Sequence, residues 1–240
     1  MKFFYDLHIH SALSPCADDD MTPSNIANMS LLKELDMIAV TDHNSCKNAR
    51  ACAEAASRAG LLLLPGVEVE TSEEVHCVVL FSDINEAERF GAMLESRLAA
   101  VKNREDIFGN QLLLNCDDEI TGKYETLLLN AAAISVTELF KIAADYGAAA
   151  FPAHVDRDAN GVISNLGAMP ADLGCEYIEI SARTEPEEYL AHNKNSFSKK
   201  YGCLRNSDAH RLGDINERAA YLEFEKKPSA RDVVDKIRNG

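Results

Sequence analysis

Short apolar runs rich in β-branched and aromatic residues alternate along the chain with longer stretches whose apolar positions recur at helical spacing. The runs at 3–9, 37–40, 61–64, 75–81, 148–152, 177–180, 203–206 and 220–224 predict strands. The stretches 23–35, 46–59, 86–101, 136–146, 186–200 and 229–238 predict helices. Thr22 followed by Pro23 marks one helix start, because a hydroxyl caps free backbone N–H groups and proline suits the first turn. Strand and helix in alternation predict an α/β fold, a parallel sheet with crossover helices. Only 102–133 breaks the rhythm, and it is expected to be an inserted helical segment within a single barrel-like domain spanning 1–240.

The polar residues that interrupt this pattern are not scattered. "DLHIH" sets His8 and His10 two apart at the end of the first strand, a spacing that points both rings to one face together with Asp6, with Leu7 and Ile9 facing the helices. "TDH" places Asp42 and His43 past the second strand, and "PGVEV" places Glu68 past the third. His76 opens a strand, His154 follows another, and "SDAH" places Asp208 and His210 two apart beyond a late one. In parallel α/β folds the carboxyl ends of the strands carry the site, since loops converge there on a rigid frame. Any one of these histidines alone is an ordinary structural residue, but every histidine except His192 falls at such a position, which one metal centre explains with one cause. Asp18, Asp19 and Asp20 have a competing role, because they precede a helix and suit its N-terminal dipole.

Composition sharpens the partner question. With 46% hydrophobic and 26% charged residues the chain is that of a folded protein, and its net charge of −15 argues against extended nucleic acid as a partner. A small anion drawn in by bound cations is compatible with that field. Seven cysteines without a C-x-x-C pair fit free thiols in a reducing compartment, and the first ten residues lack the plan of a signal peptide. No apolar run approaches the roughly 20 residues that span a bilayer. The expectation is a cytoplasmic protein without a membrane partner; oligomeric state is left open.

The ordered series DLHIH, TDH, the Glu of PGVEV, the His of EEVHCVVLF, the AH of PAHVDR and SDAH resembles the polymerase and histidinol phosphatase (PHP) family, from Asp6 to His210. The resemblance implies a distorted (β/α)7 TIM-like barrel holding two or three divalent ions, Mn²⁺, Fe²⁺ or Zn²⁺, at its strand ends. It implies a first metal on His8, His10, Glu68 and Asp208, a second on Glu68, His76 and His154, and a third on His43 and His210. Asp18, with Asp20 as rival, is the further ligand it suggests for the third. Asp6 and Asp42 would orient neighbouring groups. The catalytic set is Glu68, His43, His154 and Asp208, with Arg157 and Arg183 placed to bind substrate.

The implied activity is hydrolysis of a phosphoester by hydroxide generated at the metals, which also neutralise the phosphoryl oxygens. The expected substrate is a small phosphorylated metabolite, a nucleotide phosphate or 3′,5′-bisphosphate; the alternatives are histidinol phosphate and nucleic-acid ends. An amidohydrolase is disfavoured because Glu68 stands where those enzymes use a bridging lysine, and a non-catalytic module because the ligand series is complete. The segment 102–133 is expected to wall or cover the substrate pocket.

Overall fold

A computed structural model describes residues 1–240. From the N-terminus, β1 (Lys2–Ile9), α1 (Pro23–Leu32), β2 (Met37–Val40), α2 (Ala49–Ala59) and β3 (Leu62–Glu70) form two strand–helix–strand units with parallel strands. Then come β4 (His76–Leu80), α3 (Ile84–Glu95), the single turn α4 (Glu105–Phe108), β5 (Leu112–Leu114), β6 (Ile120–Lys123), α5 (Val136–Asp145) and β7 (Ala149–Pro152). The last part holds α6 (Val162–Leu166), β8 (Tyr177–Glu179), α7 (Pro186–His192), β9 (Gly202–Leu204), β10 (Tyr221–Glu223) and α8 (Ala230–Asn239).

Local chemistry sets the helix ends. The Thr22 hydroxyl accepts from the Asn25 N–H with Pro23 in the first turn, α2 stops at Gly60 with φ +78°, and Ser229 and Asp232 cap α8 reciprocally. Asp83 caps α3 by accepting from Asn85 and Glu86, so that helix begins before residue 86 and ends at Glu95, short of the expected 101.

The sheet runs β10-β1-β2-β3-β4-β7, and it is not wholly parallel as the alternating pattern predicted: β4 pairs antiparallel with β3 and with β7, and β10 antiparallel with β1. The reason is chain length. Only residues 71–75 separate β3 from β4, whereas a parallel return needs a crossover of about a dozen residues or more. The first residue of β4 therefore lies at the edge where β3 ends, and β7, reversed again, ends at that same edge.

The sheet curls into a half-barrel whose ends are joined by the β8–β9 parallel pair. Val155 N–H donates to the Glu179 carbonyl at 2.9 Å on one side, and His10 N–H donates to the Ala209 carbonyl at 2.9 Å on the other. One apolar cluster spans the resulting interior, with Tyr5, Leu7, Met37, Leu64, Val78, Phe151 and Leu204 packed with Val233, Val234 and Ile237 of α8. Side chains of α1 and α2 cover the outer face near β2, and those of α3 and α5 cover it near β4.

Two expectations fail locally. Strict alternation in β1 does not hold, since Leu7 joins the interior cluster while Ile9 packs with Ile38 and Val40 against α1 and α2. The β1–β2 register shifts between Asp6 and Ile9, and such an irregularity re-aims side chains. As a result Asp6 does not share the direction of His8: its oxygens accept the Ser207 and Asn216 backbone N–H groups. The segment 102–133 is not helical apart from α4; it is a β5–β6 hairpin with extended flanks. Its turn is built by Asn115, whose Oδ1 accepts the Asp117 and Glu119 N–H groups, with Asp118 in the left-handed region.

The hairpin leans on the loop that follows β1. Leu112 N–H donates to the Ala12 carbonyl, and Asn48 bonds both the Leu112 carbonyl and the Leu114 N–H. Gly109, at φ +97°, sits so close that a Cβ would come 2.1 Å from the Pro15 carbonyl oxygen. Gly109→Ala should therefore destabilise the fold by about 1–3 kcal/mol in thermal denaturation. Gly122→Ala, whose Cβ would meet only a Leu113 methyl at 3.7 Å, should cost less; equal effects of the two would show that the hairpin does not press on this loop.

Candidate metal centre

One rim of the half-barrel collects the chemistry. His8 lies one residue before the end of β1 with His10 just beyond it; His43 follows β2, Glu68 lies inside β3, and His76 begins β4. His154 follows β7, and Asp208 and His210 follow β9. Antiparallel β4 explains why a histidine at the start of a strand meets residues at the ends of others.

Glu68 is the hub, fully buried. Its Oε1 lies 2.9 Å from His76 Nδ1, 3.2 Å from His154 Nε2 and 3.3 Å from His8 Nε2. Its Oε2 lies 3.0 Å from His43 Nδ1 and 3.3 Å from His10 Nε2. Asp208 closes the other side, with Oδ1 at 2.9 Å from His10 Nε2 and 3.3 Å from His8 Nε2. His154 and Asp208 have φ of 27° and 54°, a costly conformation for non-glycine residues that persists where surroundings enforce it.

Three groups of side chains converge closely enough to hold an ion: His8, His10, Glu68 and Asp208; His43, Glu68 and His76; and His10, His43 and His210. The first is the set expected for a first metal. The second brings His43 to Glu68 and His76, while His154 reaches Glu68 through the same oxygen as His76. The third adds His10, whose ring stacks on His210 at 4.1 Å between centroids. Asp18 is not brought into any of them; its side chain is half exposed and lies 3.6 Å from the Arg211 guanidinium. Asp20 is exposed as well. Asp42 reaches a ring only through Ser14: it accepts from the Ser11 and Ser14 hydroxyls, and Ser14 Oγ accepts in turn from His10 Nδ1 and the His43 backbone N–H. Because Ser14 spends its one proton on Asp42, His10 must be the donor at Nδ1, so Nε2, facing Asp208 and Glu68, is the atom over which a cation and a proton compete.

Arg157 and Arg183 both line a cleft of about 430 Å³ that opens beside Asp208, with Ser181, Ser207 and Asn216. Arg157 Nη1 contacts Asp208 Oδ2 at 2.5 Å. His192 ends α7 on the exposed surface, outside this centre. The pattern of polar residues missed Ser14, Asn160, whose amide lies 2.8 Å from His76 Nε2, and Glu179, a buried carboxylate against His8. Glu179 had a signal, a lone acid between Ile178 and Ile180 at a strand end.

Electrostatics fit a cation. Burial opposes the Glu68 charge, but the His76, His8 and His43 rings hold its carboxyl well below the usual range. Burial likewise works against charged imidazoles, yet Glu68 and Glu70 raise His76 to about 10, and Asp208 and Glu68 raise His10 to about 8. Burial and the His10 charge push His210 down to about 3. Glu68 Oε2 and His154 Nδ1 are buried with no hydrogen bond, and the Glu68 oxygen has only ring nitrogens near it. A donor set of imidazoles and carboxylates without thiolate suits Mn²⁺, Fe²⁺ or Zn²⁺.

The family model of the PHP domain matches residues 6–239. The 5′-3′ exoribonuclease Rnm of Salmonella typhimurium is 36% identical over 85 residues, 33% of this chain and 28% of that protein. The 5′-3′ exoribonuclease of Haemophilus influenzae is 29% identical over 111 residues, 45% of this chain and 39% of that protein. The matches thus span well under half the length of these curated relatives. In fold, the chain is similar to the lesion-specific endonuclease PfuEndoQ of Pyrococcus furiosus, with a TM-score of 0.70 and 16% identity over 99% of this chain and 56% of that one. It is also similar to a protein of Bifidobacterium adolescentis assigned as a metal-dependent phosphoesterase, with a TM-score of 0.64 and 17% identity over 97% and 94% of the two chains.

A cation entering this centre competes with protons. Zn²⁺ titrated into the metal-free chain near pH 7 should release about one to three protons, seen as a heat that depends on the buffer's ionisation enthalpy. A buffer-independent heat would show the rings to be already neutral. For histidines raised in the folded state, the stabilisation is complete below the unfolded value of 6.5 and is lost as pH rises through 8 for His10 and 10 for His76. The thermal midpoint of the metal-free chain should accordingly fall over that window.

Proposed function

The chain belongs to the PHP domain family, and from that membership we propose that it hydrolyses a phosphoester of a nucleotide, a free nucleotide phosphate or 3′,5′-bisphosphate. The observation that carries this reading is the arginine-lined cleft opening directly beside Asp208. Divalent cations, when bound by His8, His10, Glu68 and Asp208 and by His43, His76, His154 and His210, supply Lewis acidity to the phosphoryl oxygens and activate water.

The chain's own residues do the rest. Glu68 and Asp208 provide the buried negative charge that makes the rim selective for cations, and His43 and His154 approach Glu68 from separate strands. Arg157 spans the border between centre and cleft: it pairs with Asp208, and it is placed to turn toward a phosphate instead. Arg183 lies farther along the same lining, where a second phosphate or the leaving nucleoside would rest. Its loop is pinned by Asp156, which accepts from the Ser181 N–H and from the Thr184 hydroxyl. A nucleotide fits a cleft of this size, which falls in the usual range of small-molecule sites.

A second reading is removal of nucleotides from the end of a strand. It is favoured by the two curated relatives, which are named 5′-3′ exoribonucleases. The exclusion of extended nucleic acid made from net charge is therefore not kept, because the charge that matters to a bound phosphate is local.

Release of phosphate from mononucleotides and 3′,5′-bisphosphates, set beside release of mononucleotides from 5′-phosphorylated oligoribonucleotides and of phosphate from histidinol phosphate, separates these readings. Turnover of the free nucleotides supports the first; turnover of the oligonucleotide alone replaces it with the second. Glu68→Gln should lower activity at least about 10²-fold with the fold retained. Arg183→Ala should raise KM about 10-fold with a smaller effect on kcat, and His192→Ala should be silent. Full activity in Glu68→Gln would overturn the proposed centre.

A further inference from the structure

Glu179 is the last residue of β8, and its carboxylate is shut inside the rim at 1% exposure. No lysine or arginine reaches it, and its only charged partner is the His8 ring. Four contacts use its two oxygens. His8 Nδ1 lies 3.0 Å from Oε2 and 3.1 Å from Oε1. The His154 backbone N–H donates to Oε1 at 3.0 Å, and Asn206 Nδ2 donates to Oε2 at 2.7 Å. Asn206 in turn accepts the Leu7 N–H at 2.9 Å through Oδ1, so the carboxylate is braced from β1 as well.

We infer that Glu179 is a positioning residue of the centre: it holds the His8 ring and the His154 backbone so that both imidazoles turn Nε2 toward Glu68. The inference rests on the metal-centre reading above.

An ionised carboxylate can only accept, so the ring nitrogen facing it must carry the proton. His8 is then the Nδ1–H tautomer, with its Nε2 lone pair directed at the convergence of Glu68, Asp208 and His10. A carboxylate on the far nitrogen of a ligating histidine also makes the ring a stronger donor. His154 needs a different kind of support. Its φ of 27° would relax in a free chain, and the hydrogen bond from its N–H to Glu179 fixes the turn that carries its Nε2 to 3.2 Å from Glu68. The two rings consequently lie nearly parallel, 21° apart, with centroids 6.1 Å from each other. Glu179 thus couples β1 and β7 through a group that reaches neither cation nor substrate.

The test uses the full chain titrated with Zn²⁺, with no substrate present. In the wild type loaded with Zn²⁺, long-range ¹H–¹⁵N correlation should show His8 protonated at Nδ1 and bare at Nε2. Glu179→Gln should weaken Zn²⁺ binding about 10–100-fold in chelator competition and shift His8 toward the Nε2–H form. His210 should keep its proton at Nδ1 in both proteins, because the Asp208 carbonyl fixes that ring independently at 2.9 Å from Nδ1. A wild-type His8 protonated at Nε2, or a Glu179→Gln affinity equal to the wild type's, overturns the assignment while leaving the metal centre standing. A wild-type chain that takes up no Zn²⁺ overturns the centre and this assignment with it. The wild-type tautomer decides the matter even if the variant does not fold.

Discussion

A carboxylate sealed from water among five imidazoles governs this molecule. Glu68 contacts His8, His10, His43, His76 and His154 and nothing else of opposite charge. Burying an ion costs several kcal/mol unless its surroundings return that energy, so the rings must approach closely, and in the right protonation states. The strand ends meet at one rim, the loops there adopt strained conformations, and further polar groups hold the rings from behind. Each of these features serves the packing of charge around a single residue of β3.

Much of the fold was legible because strands and helices here are short, well capped and distinct in their apolar spacing. The errors share a physical origin. Strand direction depends on the length of the connection, and residues 71–75 leave no room for a crossover, a fact visible in spacing but overridden by the rhythm of the pattern. The hairpin in 102–133 follows from side-chain-to-backbone bonds at Asn115, which compete with helix yet leave no periodic trace. The irregularity in β1 is a shift in its pairing with β2, and a local alternation rule knows nothing of the neighbouring strand.

The candidate centre was legible to the extent that chemistry alone marks residues. Histidines at strand ends stand out, and the group of His8, His10, Glu68 and Asp208 assembles as expected. Serine and asparagine do not stand out, so Ser14, Asn160 and Asn206 could not be distinguished from loop residues until their neighbours were known. Asp18 lies outside these groups for the opposite reason: its charge drew attention, but the loop carries it outward to Arg211. A residue's type reveals what it can bind, whereas its direction is decided by the backbone around it.

The half-barrel closes where this centre sits. Between β1 and the segment 205–209 that follows β9 there is no continuous ladder, only the Ile9–Ala209 bridge and a set of ties in which side chains replace backbone partners. Asn206 accepts from Leu7, Asp6 accepts from Ser207, and the Tyr5 hydroxyl accepts from Arg205. His8, His10 and Asp208 flank this seam directly. The ring of strands is therefore fastened by its own chemistry, like a hoop whose clasp is also its working part, and whatever loosens the clasp loosens the hoop.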